Sequence, residues 1–215
     1  MLTLYFTPGA CSLAAHIVLE ESGEKYETQL VDMAKGEQRS DSYLKINPQG
    51  RVPALRLDNG GSLTENTAIL PYLGKRFGLW PTDPMAEAKA LSLIGFFAAS
   101  VHPAHAHIGR PERYATDPAA YPTIKEAGLK AFHGYLKQID GLLAGREWFC
   151  EQYSVLDAYG LVFYAWGFRR ELPMQELENY TALKDRMLQR PAVQRVAVEE
   201  KLALTRELPK SATVQ

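Results

Sequence analysis

Cys11 lies in Pro8-Gly9-Ala10-Cys11-Ser12, between a short apolar run and a helical pattern, so its sulfur is expected at a helix N-terminus. Free N–H groups and the positive end of the helix dipole collect there and favour a thiolate. A thiol of pKa about 8.5 is only about 3% ionised at pH 7, and lowering it by two units takes about 2.7 kcal/mol of selective anion stabilisation. Aligned amides, the Ser12 hydroxyl and the dipole are of that order. The local pattern equally supports a small buried residue that begins a helix. Ala14 stands where a C-x-x-C motif needs its second cysteine, so this is not a dithiol.

Three further segments offer chemistry. In Asn47-Pro48-Gln49-Gly50-Arg51-Val52-Pro53, a cis Val52–Pro53 bond would turn the Val52 backbone outward to pair with an extended peptide; an ordinary turn before a strand is the commoner case. Thr64-Glu65-Asn66-Thr67 opens a helix straight after a strand. Its free N–H groups suit a carboxylate and the Glu65 side chain suits an ammonium, the two ends of an amino acid. Alternatively Glu65 only complements the dipole. In Val101-His102-Pro103-Ala104-His105-Ala106-His107 the three histidines do not share a helical face and Pro103 disturbs the helix, so one histidine facing a cleft is favoured over a metal site.

The elements that must position these residues fall into two regimes. Residues 1–80 read β-α-β-α-β-β-α: strands at Leu2–Phe6 and Tyr26–Leu30, a helix from Cys11 to Ser22 closed by Gly23, and a short helix over Ser40–Ile46. A hairpin then turns at Asn59-Gly60, and a final helix carries Ile69, Leu73 and Phe77 on one face. That order is an α/β thioredoxin-like domain. Phe77–Pro84 reads as a linker. Residues 85–204 form an all-α C-terminal helical domain, with Leu91, Ile94, Ala98 and Val101 on one helix and Leu129, Phe132, Leu136, Ile139 and Leu143 on another. Leu156, Tyr159, Phe163 and Trp166 line a third, buried helix opened by the capping box Ser154-x-x-Asp157. Residues 205–215 are expected to be a flexible tail.

Of 215 residues, 46% are hydrophobic, enough for a packed core, and the net charge of −1 argues against a nucleic-acid or membrane-surface protein. No apolar run approaches the roughly 20 residues of a membrane span, and the N-terminus is not a signal peptide. Two distant cysteines fit a reducing cytoplasm.

Together, Tyr5-Phe6-Thr7-Pro8-Gly9-Ala10-Cys11-Ser12-Leu13, Asn47–Leu55, Leu63–Ile69 and Ser154–Tyr159 resemble the glutathione transferases, closest to the bacterial beta class. The resemblance implies a cytoplasmic homodimer that binds glutathione as co-substrate, without metal, and conjugates it to a small hydrophobic electrophile in detoxification. It implies catalytic roles for Cys11, Ser12 and His102. It implies a glutathione site of Cys11, Lys35, Val52, cis-Pro53, Glu65, Asn66 and His102, and a second-substrate pocket near Tyr114, Phe163 and Trp166. The family's strand-one tyrosine falls on Phe6, and the lysine that follows its histidine is Pro103. Two other activities stay open: thiol–disulfide exchange through Cys11, and binding without catalysis.

Overall fold

The structure, a computed structural model, describes residues 1–207. Its first half contains β1 (Leu2–Phe6), α1 (Leu13–Ser22), β2 (Tyr26–Leu30), α2 (Asp41–Leu44), β3 (Ala54–Arg56), β4 (Ser62–Thr64) and α3 (Asn66–Phe77). The strands form one sheet in the order β2-β1-β3-β4, with β1 and β2 parallel and the other pairs antiparallel. This is the thioredoxin-like topology expected from the sequence.

Strand alternation sorts β1 by face. Leu2, Leu4 and Phe6 join the main core, whereas Tyr5 packs with Val31, Tyr43, Val52 and Ala54 on the other side. α1 is buried all round from Leu13 to Leu19, His16 included, because α3, α7 and α9 flank it. It ends at Gly23 with φ of 67°, as expected of a C-terminal cap. It begins later than the sequence suggests. Thr7 to Ser12 form turns, with Ala10 N–H donating to the Thr7 carbonyl and Leu13 N–H to that of Ala10. Cys11 therefore precedes the helix instead of opening it.

The second half contains α4 (Pro84–Phe96), α5 (His102–Gly109), α6 (Tyr121–Leu142), α7 (Val155–Arg169), α8 (Glu178–Leu188) and α9 (Pro191–Glu199). Asp83 caps α4 through the N–H groups of Met85 and Ala86. A π-helical turn, Phe97–Val101, joins α4 to α5 just before Pro103. Pro103 lacks the N–H that a regular helix would need there, and the wider turn accommodates it. The whole stretch Pro84–Gly109 is apolar and long enough, by length and composition alone, to cross a membrane. This revises the reading that no run approaches that length. In the fold it packs against α6 and α7, burying Ala90, Ile94, Phe97, Val101 and Ala104 at helical spacing.

α7 is the buried central helix expected. Tyr159, Phe163 and Phe97 meet edge-on or tilted, with centroids 4.8–5.6 Å apart. Two residues assigned to buried faces lie at the rim instead: Leu91 and Leu129 are 48% and 38% exposed, one step outside the stripes set by Ile94 and Phe132. Arg190 grips Glu21 with two hydrogen bonds, and Val155 N–H donates to the Leu79 carbonyl, tying the halves together. Of the expected flexible tail, Thr205 to Glu207 belong to a 3-10 turn with Leu204 buried; residues 208–215 lie outside the described residues.

Candidate functional site

The β1–α1 turn, the loop that leads into β3 and the start of α3 converge on Cys11. The Val52–Pro53 peptide is cis, and the Cys11 thiol donates to the Val52 carbonyl at 3.3 Å. The loop before it is held by the Tyr43 hydroxyl and the Asn47 amide, both donating to the Arg51 carbonyl at 2.6 Å. Gly50 makes the turn at φ of 61°, and a Cβ there would lie 2.9 Å from the Gln38 carbonyl oxygen, so only glycine fits.

Burial pushes the Cys11 thiol up to about 12, and the Glu65 carboxylate adds to the rise. The N–H groups of Cys11 and Ser12 and the Arg51 charge pull the other way without prevailing. In this state Cys11 is held as a neutral thiol, which favours the small buried residue over the thiolate, the two readings the sequence left open. The role expected of Ser12 is corrected. It is fully buried, and its hydroxyl both accepts from the Thr7 N–H and donates to the Thr7 carbonyl, each at 3.2 Å. It braces the turn and has no hydrogen available for a ligand.

Glu65 is exposed at the head of α3, in the uncommon positive-φ region at 67°. Such a conformation in a non-glycine residue is held by its surroundings. The following side chain departs from expectation. Asn66 is buried, and its amide donates to the Cys11 carbonyl at 2.9 Å. It ties α3 to the Cys11 turn and leaves its backbone N–H, without an intrahelical acceptor, for a ligand. Lys35 is largely exposed and paired with Asp32 at 3.1 Å; among the described residues no hydrogen bond or ion pair joins it to Cys11, Val52 or Glu65.

From the helical half, Trp166 donates its indole N–H to the Gly9 carbonyl at 2.9 Å, and Glu200 accepts the Gly9 N–H at 2.8 Å. The other Glu200 oxygen meets His16 Nδ1 at 2.8 Å, with both side chains fully buried. Both sides of Gly9 are thus clamped two residues before Cys11. Trp166 also carries His102 edge-on at 5.0 Å and His105 stacked at 4.1 Å. Neither Trp166 nor Phe163 lines an open pocket: Trp166 is 5% exposed and Phe163 is wholly in the core. Tyr114 alone of the three is exposed, stacked on His107 at 3.7 Å.

Burial, with the Arg51 and Arg113 charges, pushes His102 down to about 4 from 6.5. A histidine lowered by folding destabilises the fold as pH drops from 6.5 through 4, and stays neutral at physiological pH. Imidazole resonances of His102 should therefore keep neutral shifts down to pH 5 in a nitrogen NMR titration; a midpoint between 6 and 7 would show instead that the ring is open to water. Sequence reasoning gave no role to Arg51, Arg113, Glu200 or His16. Arg51 stands inside a quoted motif; Glu200 lies 191 residues from Gly9 and carries no local signal.

Residues 9–76 match the family model described as "Glutathione S-transferase, N-terminal domain". The chain is 34% identical over 200 residues to glutathione S-transferase GstA of Escherichia coli O157:H7, covering 90% of this chain and 96% of that protein. A glutathione transferase homologue from Sulfitobacter, solved with bound glutathione, superposes with a TM-score of 0.87 at 34% identity, over 94% of this chain and 98% of that one. The beta-class glutathione S-transferase of Sphingomonas chungbukensis gives a TM-score of 0.82 at 32% identity, over 94% of this chain and all of that one.

Proposed function

This chain belongs to the glutathione S-transferase family, and from that premise we propose that it binds glutathione in the Cys11 cleft and joins its sulfur to a small electrophile. The observation that carries the reading is the convergence of three peptide-binding features. The Val52 backbone beside cis-Pro53 faces Cys11, the head of α3 presents Glu65 and a free N–H, and the N–H groups of Cys11 and Ser12 face the sulfur.

Glutathione lies extended along Val52, with its γ-glutamyl ammonium on Glu65 and the adjoining carboxylate on the Asn66 N–H. Its sulfur lies against Cys11. There the neutral thiol swings its S–H from the Val52 carbonyl to the incoming thiolate, and the neutral His102 ring offers an N–H. Both are donors that need no proton transfer, and they supply the anion stabilisation that no tyrosine at Phe6 provides. Holding the thiolate against an electrophile in the same cleft then replaces an encounter in solution. Burial of Cys11 as a neutral thiol weighs against thiol–disulfide exchange as the main activity.

We place the glutathione-binding domain at 1–80 and the helical domain at 85–204. A second copy of the chain is proposed to cover α4, which exposes Met85 and Leu91 at 64% and 48%. Free thiols at Cys11 and Cys150 fit a cytoplasmic detoxification enzyme. Calorimetry with glutathione and turnover of chlorodinitrobenzene test the function. Saturable uptake below millimolar glutathione and a rate above background are expected; absence of uptake at millimolar concentration overturns the proposal.

A further inference from the structure

The helical wall beyond Gly9 carries arginines that no carboxylate among the described residues pairs. Arg169 abuts the Cys11 turn: a methyl group on Gly9 would lie 3.7 Å from its Nη1. Arg170 reaches the end of α5, with Nη2 3.1 Å from where a Gly109 Cβ would stand. His105 sits between, its ring stacked on Trp166, and feels both of these arginines and His102. Arg113 follows α5 and is close enough to Arg110 and Arg51 for their charges to oppose it.

Among the described residues none of Arg51, Arg110, Arg113, Arg169 and Arg170 forms an ion pair; Arg39, Arg56, Arg146 and Arg186 lack one too, but none of these four has a buried side-chain nitrogen without a partner, as Arg170 has. The carboxylates nearby do not fill the gap. Glu112 attracts Arg113 without pairing, Glu65 stands by Cys11, and Glu200 is engaged by Gly9 and His16. Two polar atoms in the same wall are buried without a hydrogen-bond partner, Nε of Arg170 and Nε2 of His105, and the His105 side chain is itself only 8% exposed. The chain as a whole has a net charge of −1, so this is a local concentration and not general basicity.

Unpaired guanidinium groups crowded together repel one another, and a bound anion relieves that repulsion. Their planar forks match a carboxylate in particular. The two ends of the cleft are already allotted: the amino-acid end of glutathione lies at α3 and its sulfur at Cys11. The cations past Gly9 and Trp166 are left to face the second substrate.

We propose, building on the transferase reading above, that the acceptor electrophile carries a carboxylate, which seats against Arg169 and Arg170 while its reactive carbon faces the glutathione sulfur. For an aryl chloride the glutathione thiolate forms the C–S bond, chloride leaves with the C–Cl electron pair, and the thiol proton passes to solvent.

The test compares a chlorodinitrobenzoate with its methyl ester, each kcat/KM divided by the uncatalysed rate with glutathione. The carboxylate should be favoured about tenfold or more, the scale of one charge-assisted hydrogen bond, and high salt should shrink the ratio. In the double variant Arg169→Ala, Arg170→Ala the ratio should fall below about threefold, with the double lysine variant intermediate because it keeps charge and loses the fork. A ratio near one in the native protein overturns the proposal even if the variants fail to fold. Calorimetric binding of the two finished glutathione conjugates separates the proposal from its premise. Tighter binding of the carboxylate conjugate without turnover supports the charged wall and removes the enzyme reading. Equal binding of both conjugates alongside turnover does the reverse, and binding of neither removes both.

Discussion

At pH 7 and without glutathione, iodoacetamide should label Cys11 at least about a hundredfold more slowly than a free thiol in the same buffer. Only the thiolate attacks. With its pKa pushed up to about 12, Cys11 is ionised far less at pH 7 than an ordinary cysteine, a deficit of about three powers of ten. Slower access to a buried sulfur adds to it, while the greater intrinsic nucleophilicity of a more basic thiolate gives part of it back. The rate should climb about tenfold per pH unit through pH 10 without a plateau, since ionisation limits it over that range. Cys150, half-buried and raised less, serves as an internal comparison in the same digest. Labelling at the rate of a free thiol, or a plateau near pH 7, would refute the neutral assignment. The same assignment fixes the sign of the alkaline limb. Between pH 9 and 12 the folded chain keeps a proton that the unfolded chain releases, so Cys11 makes the fold less stable as pH rises through that window. It also separates the two activities. A Cys11→Ala variant should conjugate more slowly, because the glutathione thiolate loses the S–H donor and keeps only His102 and the turn N–H groups, and should lose any mixed-disulfide chemistry entirely.

The parts of the site that the sequence discloses are those written in contiguous strings. Val52 sits where a turn meets a strand, and Glu65 at the head of α3 and Cys11 after β1 where a strand or turn meets a helix; the order of elements alone brings those junctions to one end of the sheet, while the cis form of Pro53 is expected only from the family resemblance. Side-chain direction is less accessible. Ser12 and Asn66 have the right chemistry for ligand contacts, yet one is consumed by Thr7 and the other by the Cys11 carbonyl. A residue type does not state which of several nearby partners its rotamer will choose. Phe163 shows the same limit: its helical spacing puts it on an apolar face, and whether that face meets a pocket or Phe97 depends on how α7 packs. Least accessible are the long-range pairs. The clamp on Gly9 joins it to Trp166 and Glu200, 157 and 191 residues away, and nothing local to those positions marks them.

The capping box of α7 concentrates a large stability effect in a single polar side chain. Asp157 is buried, and it accepts the Ser154 N–H at 2.7 Å, the Ser154 hydroxyl at 3.0 Å and the Phe149 N–H at 3.0 Å. An Asp157→Ala substitution strands two buried backbone donors at about 1–3 kcal/mol each. It also frees the segment before α7, whose Phe149 ring packs on Phe97 at 5.5 Å. The loss should be about 3–5 kcal/mol, read as a lower urea midpoint at unchanged slope. Asp157→Asn should lose less, since its one remaining acceptor still serves a donor while its NH2 meets another. Burial raises the Asp157 carboxyl to about 6 from 3.8, against the pull of its hydrogen bonds. A carboxyl raised by folding holds a proton that the unfolded chain has released, so this group makes the native protein less stable as pH climbs from 3.8 to about 6. That slope should be absent from the asparagine variant. A loss under about 1 kcal/mol in the alanine variant would mean that water reaches Phe149 and Ser154. The cleft wall, in which Trp166 extends from the same helix to hold Gly9, would then be anchored by core packing alone.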